Sequence, residues 1–408
     1  MTYLPEVAIY GSDNGTIDAF SRLRMSEPFT VFDSKQIFDS ASLFWDTSGS
    51  AGGFAQYTQS RASTKLYVPA SASAFCGRQT KQHFNYQPGK SQLIILTFGG
   101  SPTPAGINKR LGYYNNQDGL FFTFSSSYNY VGWRSSVTGA PIDTQISQSD
   151  WNLDKMDGTG PSRQILDPTK SQIAFIDFEW LGVGRAKWGF FNDGHPIYVH
   201  ERNNANISES VYMSTPNLPL RYTISNASGV NSGYFEQVCG TVISEGGFNQ
   251  AGLLRTIDIG GFSQSEVPVG RTITTNGYES LLAIRLKSTH LGATVIPTGI
   301  SIVGSTAAVA KWALLINPGV AGTAYNWVDI PNSALQKSVV DAQTITQENV
   351  KILSGYMSSE TSVVSKDIET ALTLGSNIDG TRDILVLAVY SLSVNETYYG
   401  SLTYRELI

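Results

Sequence analysis

The chain has 408 residues and a net charge of −5, enough length for two or three domains at about 150 residues each. Charged residues are 15% of it against about 25% in a usual soluble protein; Gly, Ser, Thr, Asn and aromatic residues fill the difference, which favours an all-β chain over a helical one. An acidic balance with no basic stripe gives no reason to expect nucleic acid or an anionic membrane surface as a partner.

The N-terminal Met1–Glu6 lacks the basic and apolar regions of a signal peptide, and no apolar run reaches the ~18 residues of a membrane span. The expectation is a soluble chain made in a cytoplasm, with no membrane insertion. Residues 1–40 form an arm. Phe20, Arg22 and Arg24 fall on one face of an extended segment, with Leu23 and Met25 on the other, and Pro28 interrupts regular pairing. Arginines beside aromatics are typical interface anchors, so Phe20, Arg22, Arg24, Phe29 and Phe32 are candidate subunit-interface residues. The competing reading is that the arm packs back across its own domain.

Residues 41–245 read as a first antiparallel sandwich. Its strand-like runs are Leu66–Val68, Arg78–Tyr86, Gln92–Phe98, Gly119–Phe124, Tyr130–Arg134 and Tyr234–Ser244, separated by loops rich in Gly, Pro, Ser and Asn. The centre of this domain is 172–224. Alternation from Ile173 to Trp180 places Ile176, Phe178 and Trp180 on one side of a strand and Phe175, Asp177 and Glu179 on the other. Asn192-Asp193-Gly194 between two apolar runs predicts a tight hairpin, because Asp and Gly tolerate positive φ. Val211–Met213 and Leu220–Ile224 follow, the second after the rigid Pro216–Pro219. Residues 246–270 read as a connection, with Leu253–Ile259 as a potential bridging strand. Residues 271–408 give a second β-sandwich, with strands at Ser280–Lys287, Gly299–Val303, Lys311–Ile316, Val350–Met357 and Asp383–Val394. Within the last, Ile384–Tyr390 is apolar enough to be buried on both faces.

Candidate chemistry is sparse. Asp177 and Glu179 share a strand face, roughly 7 Å apart, within the range of glycosidase carboxylate pairs. Phe175–Gly182 resembles the catalytic strand of laminarinase-like glycosidases, whose fold is a lectin-like jelly roll and whose core is Glu-x-Asp-x-Glu. Asp177 and Glu179 match the middle Asp and the acid/base Glu, but Phe175 stands where the nucleophile belongs. The match covers one strand, and paired carboxylates on a solvated sheet face are the commoner case. Trp133, Tyr113 and Tyr114 are aromatics that sugar rings could stack on, or core residues; Trp133 joins Asp177 and Glu179 as a weak candidate ligand face. The four histidines have no zinc spacing and read as surface residues. Asp154–Gly160 has the composition of a calcium loop without its full ligand set, leaving Ca²⁺ at Asp154 and Asp157 open against an ordinary Asp/Gly turn. Gly182-x-Gly184 lacks a dinucleotide site's third glycine, and no Gly-x-Ser-x-Gly occurs. Cys76 and Cys239 are too few for a disulfide framework and read as buried thiols. No cofactor is expected.

Several long stretches carry a further resemblance. Phe20–Lys35 is similar to the N-terminal signature of a family of virion structural proteins of tailed bacteriophages. Arg134–Gly139, Trp151–Ser162, Asp177–Gly184 and Tyr212–Arg221 resemble the same family, in order. The resemblance implies a particle component located in the virion, without catalytic residues, whose partners are other virion proteins. An appendage (tail fibre, baseplate or collar) built as a homo-oligomer, with a trimer favoured, is the leading expectation. The alternatives are a head fibre or capsid decoration protein, and a carbohydrate-binding module that touches a host surface glycan. The expected fold is all-β: an extended arm, a lectin-like jelly-roll sandwich and a second β-sandwich.

Overall fold

A computed structural model describes residues 26–249, 252–259, 269–274, 276–305, 309–321, 325–338, 343–358, 363–366, 373–393 and 395–407. Phe20, Arg22 and Arg24 lie outside the described residues. Apart from two single-turn 3₁₀ helices, Gln59–Arg61 and Gln148–Asp150, all regular structure among the described residues is strand. No helix there is long and apolar enough to cross a membrane, which says nothing of a β-barrel.

The first sandwich is built from β1 (Phe29–Lys35), β2 (Trp45–Ser50), β3 (Phe54–Thr58), β4 (Ser63–Val68), β5 (Ala74–Thr80), β6 (Gln92–Gly99), β7 (Ile107–Tyr114), β8 (Gly119–Phe124), β9 (Asn129–Ser135), β10 (Ile142–Ser147), β11 (Gln172–Phe178), β12 (Ala186–Asn192), β13 (His195–Arg202), β14 (Leu220–Asn226) and β15 (Gly233–Ser244). Sheet A runs β13-β12-β11-β6-β15-β4-β3, and sheet B runs β10-β9-β8-β7-β14-β5-β2. All their pairings are antiparallel. The long β15 offers one edge to β6 and the other to two strands in turn, β4 along 233–237 and β1 along 239–244.

The alternation read from the sequence places the core between the sheets. Ala174, Ile176 and Phe178 of β11 point into it beside Trp188, Phe190 and Leu96, all fully buried. Each such side chain contributes roughly 1.5–3 kcal/mol by leaving water. Trp180 packs on the same cluster, while Glu179 is exposed, so the predicted register holds. Phe175 faces outward yet is also buried, lying under Phe191 and Tyr198. Its ring covers Gly189, where a Cβ would sit 2.3 Å from it. The predicted hairpin is present: Asp193 and Gly194 have φ of 49° and 78° and join Asn192 to His195. Across the core, the Tyr222 hydroxyl of sheet B donates to the Thr97 and Cys239 carbonyls of sheet A, beside the bulge in β15.

Three expectations are corrected here, and one strand is added. Residues 29–35 are a strand of the sandwich, not part of a free arm, because the outer edge of β15 leaves N–H and C=O groups that β1 pairs. The strand read at 78–86 is Ala74–Thr80; the chain then leaves the sheet, and Phe84 makes a single bridge to Leu218. Val211–Met213 is irregular, its backbone fastened to the 179–184 loop through the Tyr212 N–H on the Gly182 carbonyl. Strand β7 was unread because Asn108, Lys109 and Arg110 interrupt its alternation. Lys109 is nevertheless buried, its ammonium donating to the Ser101 carbonyl and hydroxyl and to the Pro102 carbonyl.

The second sandwich contains β16 (Leu253–Asp258), β17 (Arg271–Ile273), β18 (Tyr278–Leu286), β19 (Thr294–Gly304), β20 (Ala310–Ile316), β21 (Gly319–Val320), β22 (Trp327–Asp329), β23 (Leu335–Ser338), β24 (Ile345–Gln347), β25 (Val350–Met357), β26 (Val363–Lys366), β27 (Ile384–Ser391) and β28 (Glu396–Leu407). One sheet runs β16-β28-β19-β26, with β17 also on β28; the other runs β22-β23-β18-β27-β20-β25, and β21 pairs β24. Leu253–Asp258 therefore belongs to this sandwich instead of bridging to it. As its sequence indicates, β27 is central and buried on both faces: Leu385, Leu387 and Val389 join the inter-sheet core, and Val386 and Ala388 join a second apolar cluster on the outer face.

Candidate functional site

The residues singled out in the sequence do not assemble into one site. Asp177 lies on the outer face of sheet A and accepts a hydrogen bond from the Tyr198 hydroxyl at 3.1 Å. Burial first, then Asp177, pushes that phenol up to about 12. Glu179 closes its own loop: its amide donates to the Arg185 carbonyl and its carboxylate accepts the Arg185 N–H. Trp133 is on the inner side of sheet B, opposite Leu120, with the Arg202 guanidinium 3.7 Å from its ring. It alternates with Gly132 and Arg134, so it cannot share a ligand face with Asp177. Tyr113 and Tyr114 are buried. Phe32 is a core residue 5.0 Å from Phe84, which corrects its place among the interface candidates, and Phe29 is partly exposed and stacked on Phe248.

Asp154 is buried, and its carboxylate accepts the amides of Met156 and Ser162. Asp157 accepts the amide and hydroxyl of Thr159. Both organise turns, and among the described residues no group of three or more His, Cys, Asp and Glu side chains could hold a metal ion. Two of the histidines are not on the surface: His83 and His200 are buried, His200 accepting the Asn152 amide on Nδ1.

A different place gathers functional groups. A cleft of 640 Å³ lies where the sandwiches meet, between the 115–118 and 214–221 loops of the first and residues 288–293 and 376–380 of the second. Hydrogen bonds fix the junction: Ser376 N–H to the Lys81 carbonyl, Ile378 N–H to the Asp46 carboxylate, and Asn217 Nδ2 to the Gly292 carbonyl. Asp118, wholly buried, holds one wall. Its carboxylate accepts the amides and hydroxyls of Ser136 and Ser214 at 2.5–3.2 Å.

Arg221 sits in that wall, 4% exposed. Strand β14 turns it to the outer face of sheet B, where it donates to Gln79 Oε1 and, at 2.6 Å, to Asn116 Oδ1. Its guanidinium lies 5.3 Å from the Tyr114 ring. Farther along the same face, Arg110 stacks 3.9 Å above Phe121, and Arg110 and Arg134 share Asp143. Burial holds the Arg221 guanidinium down to about 10, with Arg134 and Arg110 adding to the effect against Tyr114. His83 also lines the cleft, and burial followed by the Arg221 charge holds its imidazole down to about 4.

Sequence reasoning missed this site, since its members come from six separated segments of two domains. One signal was present. Ser214, Thr215, Asn217 and Arg221 lie within Tyr212–Arg221, and Ser136 within Arg134–Gly139, two of the stretches that carry the virion-protein resemblance.

No family model matches the chain, and no curated protein matches its sequence. Solved structures are similar over about half of the chain. One is described with endo-acting O-glycanases of the human gut microbiota that initiate mucin breakdown (11% identity, 53% of this chain and 99% of that one, TM-score 0.37). Another is the CBM2 module of the evolved Dit of Lactobacillus casei BL23 phage J-1 (7%, 55% and 100%, 0.35). A third is the carbohydrate recognition domain of Emp47p (11%, 53% and 97%, 0.33). At these identities and TM-scores the likeness is one of sandwich architecture and extends no further.

Proposed function

We propose that the chain is a non-enzymatic structural component of a tailed-bacteriophage particle, an appendage protein that assembles as a symmetric oligomer. The observation that carries this reading is where the resembling stretches fold. Arg134–Gly139, Asp177–Gly184 and Tyr212–Arg221 are far apart in sequence but lock together at one end of the first sandwich. Ser136 and Ser214 meet on Asp118, the Trp180 indole N–H donates to the Met213 carbonyl, and the Tyr212 hydroxyl donates to the Glu179 carbonyl. That the resembling stretches meet in one three-dimensional unit supports reading them as one body.

The would-be glycosidase strand supports the non-enzymatic part. Phe175 is buried under two aromatic rings, and Asp177 and Glu179 are engaged by Tyr198 and Arg185. The surface following β1 suits assembly: Ile37, Phe38 and Leu43 are exposed, Phe38 at 84%. Exposed apolar side chains are candidate docking contacts, and closed cyclic symmetry, with a trimer favoured by the family resemblance, is the usual arrangement of such contacts. Mass spectrometry of gradient-purified particles made from the genome that encodes this chain tests the proposal. Peptides of the chain should copurify with infectivity; their absence from infectious particles would overturn it.

A further inference from the structure

The junction cleft contains a buried cation, Arg221, that has no ion-pair partner among the described residues. Its hydrogen bonds go to the neutral amide oxygens of Gln79 and Asn116. Tyr114 offsets part of the burial cost, Arg134 and Arg110, of the same sign, add to it, and Asp143 is already shared by those two. The carboxylate of Asp118 is taken up by Ser136 and Ser214, and that of Asp46 accepts the Ile378 amide. Burying an unpaired charge is costly, and a guanidinium in a dry wall is a ready partner for a carboxylate or phosphate.

Two more buried polar atoms in the same lining lack hydrogen-bond partners among the described residues: His83 Nδ1 and Ser376 Oγ, on side chains 5% and 1% exposed. One comes from each sandwich. Buried polar atoms are nearly always paired, so two orphans flanking one unneutralised arginine point to a ligand. The imidazole is neutral at physiological pH, because its basicity is held far below the ordinary range. A ligand hydroxyl can donate to or accept from such a nitrogen and from a serine hydroxyl alike. The rest of the lining includes the amides and hydroxyls of Gln117, Thr215 and Asn377, with the carboxylates of Asp118 and Asp379 and the His290 imidazole among them, and the volume falls within the roughly 300–1,000 Å³ of small-molecule sites.

We propose that the cleft between the two sandwiches binds a small acidic saccharide, its anionic group paired with Arg221 and its hydroxyls with His83 Nδ1 and Ser376 Oγ. The site draws on both domains, so it does not depend on where, or whether, the chain sits on a particle.

Isothermal titration of the full-length protein with glucuronate, N-acetylneuraminate, glucose 6-phosphate, glucose, acetate and inorganic phosphate tests this. At least one acidic sugar should bind at least about tenfold more tightly than glucose and than acetate or phosphate; the preferred arm identifies carboxylate or phosphate. Binding should weaken with added salt. Arg221→Gln should lower affinity for the acidic sugar about tenfold or more while leaving any weak glucose binding unchanged. Ser376→Ala, which removes one hydroxyl at the far wall, should lower it about threefold and serves as the readout if Arg221→Gln does not fold. Equal binding of acidic and neutral sugars, no binding of any sugar, or wild-type affinity in the variant that folds would each overturn the proposal.

Discussion

Truncating Phe32 separates the two roles open to the segment after the arm. Its ring is 8% exposed, with centroids 5.0 Å from Phe84, 6.1 Å from Phe44 and 6.5 Å from Trp45, and its backbone is in register with Val242 of β15. Phe→Ala in a core costs about 3–5 kcal/mol. The three aromatic contacts, each worth roughly 0.5–1.5 kcal/mol beyond buried area, place Phe32→Ala near the middle of that range, about 4 kcal/mol. Phe29, 42% exposed and in contact with Phe248, is the internal control, and Phe29→Ala should cost about 1 kcal/mol. Guanidinium titrations of the full chain followed by tryptophan emission provide the assay. Trp45, Trp133, Trp151, Trp180 and Trp188 report on the first sandwich, and Trp312 and Trp327 on the second, so the loss should fall in the transition that carries most of the signal. If Phe32→Ala unfolds like wild type but lowers the oligomeric mass, β1 is an assembly strand and its place in the core is wrong.

Further consequences can be measured on the same protein. Asp118→Ala strands the amides and hydroxyls of Ser136 and Ser214, and should destabilise the first sandwich by about 3 kcal/mol; a loss under about 1 kcal/mol would show that those groups find other partners. Gly189→Ala drives a methyl into the Phe175 ring and the Ile197 carbonyl and should cost about 2–3 kcal/mol, whereas Gly194→Ala meets nothing within 4 Å and costs only its positive φ, about 1 kcal/mol. Equal effects would refute the packing of Phe175 on the sheet. For His83, whose imidazole is held down to about 4 from 6.5, the unfolded chain takes up a proton between those values and the folded chain does not. Its contribution is therefore complete above pH 6.5 and falls as pH drops towards 4, by on the order of 3 kcal/mol. His83→Gln should flatten that part of the stability profile, and an unchanged profile would mean the imidazole titrates freely in the folded protein.

Much of the fold was legible because local chemistry and tertiary structure agree. The alternation at 173–180 and the Asn192-Asp193-Gly194 turn each depend on a few adjacent residues, and the apolar run of β27 states its own burial. Reading failed where a distant partner decides. Lys109 looks like a surface residue until the Ser101–Pro102 loop closes over it. Phe32 and Phe29 look alike in sequence, and only the edge of β15 distinguishes the buried ring from the exposed one. The cleft was illegible for the same reason: Gln79, His83, Asn116, Arg221 and Ser376 carry no spacing that ties them together, and the neutral partners of Arg221 come from strands and loops more than a hundred residues away.

The proposal that this chain is part of a phage particle is most directly tested by a cryo-EM reconstruction of the purified virion at a resolution that separates strands. The account predicts symmetry-related copies of a two-sandwich body at an appendage. The surface around Ile37 and Phe38 should be buried against a neighbouring copy or another virion protein, and β1 should lie within its own sandwich. A particle whose densities are fully assigned without this chain, or one in which Phe38 remains in solvent while residues 29–35 cross to another subunit, would contradict it.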